Sequence, residues 1–204
     1  MIPKAVVFDL GKVLVDFDYG IAARAVAARA RISAPEVAKL IAETSLLITY
    51  ETGGLATGAF YKQVCDATGF CGDLTEFGRC FGDIFAPIEE MIDLHARIRD
   101  AGVPTYIFSN TNELAIGHIK RTFPFFSTFK DYVYSFEEGA LKPDEKIYGA
   151  VERRTRLSGP EILYIDDRPE NIEAGKQRAW QAIHHIDPSI TRRAVAATGL
   201  PIQV

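Results

Sequence analysis

Five short apolar runs, each breaking off at polar residues, constrain this chain more than any other feature. Lys4 to Asp9 (KAVVFD) ends in Asp9, Gly11 and Lys12, and Val103 to Phe108 (VPTYIF) stops at Ser109-Asn110-Thr111-Asn112. Asp131 to Ser135 (DYVYS) stops at Phe136-Glu137-Glu138-Gly139, Ile162 to Ile165 (ILYI) at Asp166-Asp167, and Ala182 to Ile186 (AIHHI) at Asp187-Pro188. The runs lack clean alternation, which suits strands covered on both faces, as in a parallel sheet. Between them lie helical patterns. Ile88 to Ala101 puts Met91, Leu94, His95 and Ile98 on one side and meets Gly102 as a stop, while Asp144 to Arg156 has Pro143 at an expected first helical position. Strands alternating with helices predict an α/β fold, a Rossmann-like doubly wound parallel sheet.

From Asp18 to Pro87 the pattern changes. Ile21 to Ile32 and Pro35 to Leu47 are alanine-rich helix formers, glycines 53, 54, 58 and 69 punctuate the stretch, and no strand is expected in it. This predicts a cap of four helices inserted after the first strand, at residues 18–87, on a core made of residues 1–17 and 88–204.

Charge and cysteine content narrow the function. With 204 residues and a formal charge of -4, and without a long Lys/Arg run, the chain offers no nucleic-acid surface. Arg24, Arg29 and Arg31, like Arg153, Arg154 and Arg156, read as solvated helix faces. No run approaches the ~18 apolar residues of a membrane span, and the N-terminus is a poor match to a signal peptide. Cys65, Cys71 and Cys80 lack metal-ligand spacing, so they read as reduced thiols of a cytoplasmic protein. Nothing in the sequence indicates a homo-oligomer, although Phe81, Phe85, Phe123, Phe125 and Phe126 suit either a dimer surface or the core.

Ligands of open α/β sheets bind outside the carboxyl ends of the strands. Those ends carry Asp9, Ser109-Asn110 and Asp166-Asp167, with Lys142 shortly after another strand. Taken singly, each has an ordinary reading as a turn, cap or surface residue. Together they offer a carboxylate nucleophile, phosphate donors, a cation and an acidic pair able to hold magnesium, the parts needed for phosphoryl transfer through an acyl phosphate.

The ordered set resembles the haloacid dehalogenase-like hydrolase superfamily over essentially the whole chain. VVFDLGKVLVD is similar to its first motif, IFSNTN to its second, ALKPDEKIY to its third and YIDDRPENIEAG to its fourth. The helical insertion resembles the small-cap members. The Phe-Asp-Leu-Gly start resembles a subgroup with sugar-phosphate phosphatases similar to α-D-glucose-1-phosphate phosphatase. The resemblance implies a magnesium-dependent phosphatase in which Asp9 attacks a small phosphorylated metabolite, a sugar phosphate among the candidates, to form an aspartyl-phosphate. It implies Asp9 and Lys142 as catalytic residues and Ser109, Asn110 and Lys142 as phosphate-binding residues. Asp9, the Gly11 carbonyl and Asp166 would be the metal ligands, Asp167 would tune the metal's shell, and Asn171 would brace the acidic loop.

Gly11 departs from the family pattern. Many phosphatases of the family have a second Asp there as general acid and base, a role worth ~100- to 10,000-fold in rate. A cap residue, water or the substrate is then left to move protons. Asp16 and Asp18 are expected at the approach to the cap, and Tyr50, Glu51 and Phe60 are candidates to face the site from it. Two other readings stand beside the phosphatase. A metal-independent 2-haloacid dehalogenase would not need the acidic pair, and a catalytically silent domain would bind a phospho-ligand or a protein.

Overall fold

The computed structural model describes residues 1–43 and 45–202. The chain opens with β1 (Ala5–Phe8) and β2 (Val15–Phe17), then runs through α1 (Tyr19–Ala27), α2 (Ala34–Glu43), α3 (Ser45–Glu51), α4 (Thr57–Thr68) and α5 (Leu74–Gly82). It returns through β3 (Phe85–Pro87) and α6 (Glu89–Asp100) to β4 (Thr105–Ser109), α7 (Glu113–Thr122), β5 (Asp131–Tyr134) and α8 (Ser135–Glu138). The remainder is α9 (Glu145–Thr155), β6 (Ile162–Asp166), α10 (Pro169–Gln177), β7 (Gln181–His184) and α11 (Pro188–Ala197).

The main sheet is parallel, ordered β5-β4-β1-β6-β7. Successive residues point to opposite faces, and both faces are covered, which is why the sequence runs show no polar alternation. Val6, Phe8, Ile107, Leu163 and Ile165 meet Leu94 and Ile98 of α6, Ile119 of α7 and Val195 of α11. On the other face Val7, Phe108, Ile162 and Tyr164 meet Ile147, Tyr148 and Val151 of α9 and Ile172 of α10. The chain builds outward from β1 to β4 and β5, then crosses to β6 and β7, so the order reverses beside β1. That reversal opens a crevice at the carboxyl end of β1.

The inserted layer differs in two ways from the sequence expectation. It contains five helices among the described residues rather than four, and β3 pairs antiparallel with β2, with Val15 opposite Pro87 and Phe17 opposite Phe85. A three-residue strand carries too little period-two signal to be read without its partner. The ribbon leads the chain into and out of the helical layer. Local chemistry sets the helix ends. Asp18 caps α1 through the Gly20 N–H at 2.7 Å. Asp73 and Glu76 form a reciprocal capping box at α5, and Gly69 ends α4 at φ 69°. The layer has its own aromatic core, with Tyr50 stacked on Phe60 at 4.3 Å and Phe77 and Phe81 packed against Phe60. In the core, Asp144 caps α9, and Pro143 precedes that cap instead of occupying the first helical position expected from the sequence.

Candidate active site

The strand ends bring the predicted residues together. Asp9 follows β1, Ser109 ends β4 and Asp166 ends β6, while Lys142 arrives from the segment between α8 and α9. All line or adjoin one cavity of about 370 Å³ between the sheet and the helical layer.

Lys142 is the hub. Its Nζ lies 2.9 Å from Asp9 Oδ1 and 2.7 Å from Asp166 Oδ2, and donates to the Phe108 carbonyl at 3.0 Å. The lysine is 4 % exposed and Asp166 is fully buried, so neither charge is relieved by water. Asp9 Oδ1 also accepts the Leu10 N–H at 2.7 Å, and Oδ2 has no hydrogen-bond partner among the described residues. One oxygen is thereby tethered and the other is not. Burial pushes the Asp9 carboxyl well above the usual carboxylate range; Lys142 opposes this and Asp166 adds to it. Asp166 ends below its ordinary value, because Lys142 and its hydrogen bonds outweigh a large burial penalty.

Asp166 is saturated with donors. It accepts from Lys142, from the Tyr164 hydroxyl, from the Arg168 N–H at 2.8 Å and from Asn171 Nδ2 at 3.0 and 3.2 Å. Tyr164 is not among the residues that the strand-end pattern singles out. It precedes Asp166 by two and therefore shares its strand face, which is a usable signal. The Asp167 carboxylate has no side-chain partner among the described residues, and burial and Asp166 both push its pKa up. One oxygen from each of Asp9, Asp166 and Asp167 lies within 4.8 Å of the others. Three carboxylates and the Lys142 ammonium leave a formal charge of -2. The nearby cations do not offset it, since Lys12 pairs with Asp16 and Arg168 with Glu170. Hard oxygen donors with two uncompensated negative charges fit a magnesium ion.

The second cluster is divided in its tasks. Ser109 is 2 % exposed at the cavity wall, and among the described residues its hydroxyl has only a long 3.3 Å contact to the Asn110 carbonyl. The Asn110 amide is committed elsewhere. It accepts the Lys142 N–H at 2.7 Å and donates to the Lys142 carbonyl at 3.1 Å, a two-bond clasp that fixes the lysine's backbone. The Thr111 N–H is likewise taken, by Ser135 Oγ at 2.9 Å.

Of the candidates offered by the inserted helices, only Glu51 lines the cavity. Tyr50 and Phe60 are buried in the aromatic core of that layer. Asp16 lies in β2 and pairs with Lys12, and Asp18 is occupied as a helix cap, so neither lines the site. Phe17, Tyr19, Leu47, Ile48 and Phe85 complete an apolar wall.

The family model for haloacid dehalogenase-like hydrolases matches residues 3–177. A D-ribitol-5-phosphate phosphatase of Bacteroides thetaiotaomicron is 26% identical over 187 residues, covering 87% of this chain and 89% of that protein. A sesquiterpene phosphatase of Aspergillus oryzae is 22% identical over 189 residues, covering 92% of each. Among solved structures, a family enzyme of B. thetaiotaomicron in complex with magnesium and inorganic phosphate superposes with a TM-score of 0.81 at 18% identity, over 90% of this chain and 94% of that one.

Proposed function

Because the chain belongs to the haloacid dehalogenase-like hydrolases, we propose that it is a magnesium-dependent phosphatase acting on a small phosphomonoester, with residues 18–87 as the cap over a core of residues 1–17 and 88–204. The observation that carries this reading is the acidic cluster of Asp9, Asp166 and Asp167 around Lys142, with its charge of -2 unbalanced. A 2-haloacid dehalogenase, attacking carbon without a metal, has no use for that excess. Phosphatase relatives of nearly full-length overlap support the same choice.

The metal would be held by Asp9, the Gly11 carbonyl and the acidic pair. Asp167, having no side-chain partner, is the better direct ligand of the pair. Asp166, engaged by four donor groups, is the weaker ligand of the two and also positions Lys142 and Asn171. This reverses the weighting expected from the sequence, where hydrogen-bond saturation is invisible. When bound, magnesium supplies positive charge to the phosphate oxygens and removes the repulsion between them and Asp9. Asp9 Oδ2 attacks phosphorus as the bond to the leaving oxygen breaks, giving an aspartyl-phosphate; water then displaces Asp9 and releases inorganic phosphate. Lys142 orients Asp9 and opposes the burial that would neutralise it, the Ser109 hydroxyl donates to a phosphate oxygen, and Asn110 serves that site by holding Lys142.

The substrate class is a phosphorylated small metabolite. A sugar or polyol phosphate is the first choice, because its hydroxyls would find partners in Glu51, Tyr19 and Asn112 on the cavity wall. The test is release of inorganic phosphate from a panel of sugar, polyol and isoprenoid phosphates, with magnesium and with EDTA. Wild type should turn over at least one ester only with metal, and Asp9→Asn should lose several orders of magnitude in kcat. Full magnesium-dependent activity in Asp9→Asn would exclude the mechanism.

A further inference from the structure

Hydrolysis of an alkyl phosphate through an acyl phosphate moves a proton twice. The leaving oxygen takes one as its bond to phosphorus breaks, and the attacking water surrenders one. Gly11, two residues after the nucleophile, has no side chain for either task, and its surroundings leave no room for one. A Cβ there would lie 2.7 Å from the Phe17 ring. That ring is itself held edge-on by Tyr19 at 5.4 Å and packed on Phe85 at 6.1 Å.

The other ionisable groups on the cavity wall are largely committed. Asp9, Lys142 and Asp167 belong to the phosphate and metal centre. Lys12 is held by Asp16 and by the Phe17 carbonyl at 2.9 Å, and Arg168 pairs with Glu170. Tyr19 is pushed far up by burial and by Glu51, so it has no accessible ionised form. Glu51 remains. It ends α3, lines the same cavity as Asp9 and Gly11, and accepts the Tyr19 hydroxyl at 3.4 Å. The Asn112 amide, three residues beyond Ser109, is its second partner.

We propose that Glu51, reaching the cavity from the inserted helices, is the general acid and base that replaces the side chain missing at Gly11. Resting on the phosphatase reading, it gives its proton to the leaving oxygen while the Asp9 O–P bond forms and the ester P–O bond breaks. It then takes a proton from water as the water O–P bond forms and the Asp9 O–P bond breaks. Ester and water become alcohol and phosphate, and Glu51 ends protonated as it began. Its placement is supported by its acidity. Burial pushes the carboxyl up to about 7, against the hydrogen bonds from Tyr19 and Asn112, so both forms are populated near neutrality. Proton transfer from the cap would couple turnover to a substrate that the cap accepts, so recognition and chemistry would share one residue.

Rapid mixing of Glu51→Gln with magnesium and two probes, p-nitrophenyl phosphate and ribitol 5-phosphate, tests this. Turnover of the alkyl ester should fall ~100-fold or more with little change in KM. The aryl ester, whose leaving group needs no proton, should give a burst of one equivalent of p-nitrophenol per site and then a slow phase, as aspartyl-phosphate accumulates. Activity of both probes within threefold of wild type, or a raised KM with unchanged kcat, overturns the proposal. Wild type needs no variant for a second check. Its single-turnover rates across aryl and alkyl esters should be nearly level, and a steep decline toward poorer leaving groups overturns the proposal even if Glu51→Gln does not fold. Inactivity of Asp9→Asn beside an unchanged Glu51→Gln removes this proposal alone. A wild type that releases phosphate from no ester removes the phosphatase reading and this inference with it.

Discussion

Gly11 shows how much one residue can conceal. In the sequence it is the absence of an acid, and Gly11→Asp looks like a repair. In the fold its backbone does not occupy the left-handed region, so an aspartate is conformationally allowed; the obstacle is the Phe17 ring 2.7 Å from the new Cβ. Gly11→Asp alone is therefore expected to cost about 1–3 kcal/mol by overpacking and to give no faster phosphate release. Gly11→Asp with Phe17→Ala should recover space for the carboxylate and relieve the dependence on Glu51. Urea melts of both variants, together with phosphate release in a Glu51→Gln background, check the two halves separately. The residues carrying the proposed covalent chemistry were legible because each stands at the end of an apolar run: Asp9, Ser109, Asp166 and Asp167, with Lys142 close behind. What was not legible is which of their atoms are already engaged. Asn110 and Asp166 have the right chemistry for ligand binding, yet their hydrogen bonds go to Lys142 and to the acidic loop.

At the scale of elements, the core strands and the inserted helices were read by different signals and with different success. The parallel strands declare themselves because both faces are buried, making each a dense apolar run with a sharp polar end. The β2–β3 ribbon does not, since three-residue strands gain their identity from pairing. Helix ends in the inserted layer depend on local caps, and the strongest is the box at Asp73 and Glu76. The Glu76 N–H donates to Asp73 Oδ1 at 2.8 Å, and the Asp73 N–H donates to Glu76 Oε2 at 3.0 Å. Glu76 is also gripped by Arg29 at 2.6 Å, tying α5 to the end of α1. Asp73→Ala should therefore destabilise the layer by about 1 kcal/mol while leaving the core sheet intact. Hydrogen exchange should show faster opening of α5 with unchanged protection in β1 and β4, a pattern that a global effect would not produce.

For the molecule as a whole, stability should carry a pH dependence that has nothing to do with the active site. His95 is 1 % exposed, stacked on Phe129 at 3.8 Å and bonded through Nε2 to Thr105 Oγ1 at 3.0 Å. Burial, reinforced by Arg99, lowers its pKa from 6.5 to about 4. Above pH 6.5 the ring is neutral in both folded and unfolded chains and contributes no pH dependence. Between pH 6.5 and about 4 the unfolded chain binds a proton that the folded one refuses, so stability falls with pH by roughly 1.4 kcal/mol per unit. Below that window both forms are protonated and the loss is complete. Urea midpoints of wild type and His95→Gln should converge toward the acid end of the window; parallel curves would remove the assignment. The same scale sets a limit on the surface. Among the described residues no helix is long and apolar enough to cross a membrane, and the arginine clusters are partly neutralised by pairs such as Arg29–Glu76 and Arg154–Asp131.

The sheet, its doubly wound cover and the set of residues at its carboxyl edge could be read from consecutive residues, because burial on both faces and a polar break at each strand end are local patterns. How that set is wired emerges only from contacts made in the fold. Lys142 joins Asp9 to Asp166 across 133 and 24 residues of chain, Phe17 fills the space beside Gly11, and Glu51 comes to the same cavity from a separate helical layer. Such contacts depend on distances through space between segments remote in sequence, and no local period or propensity encodes them.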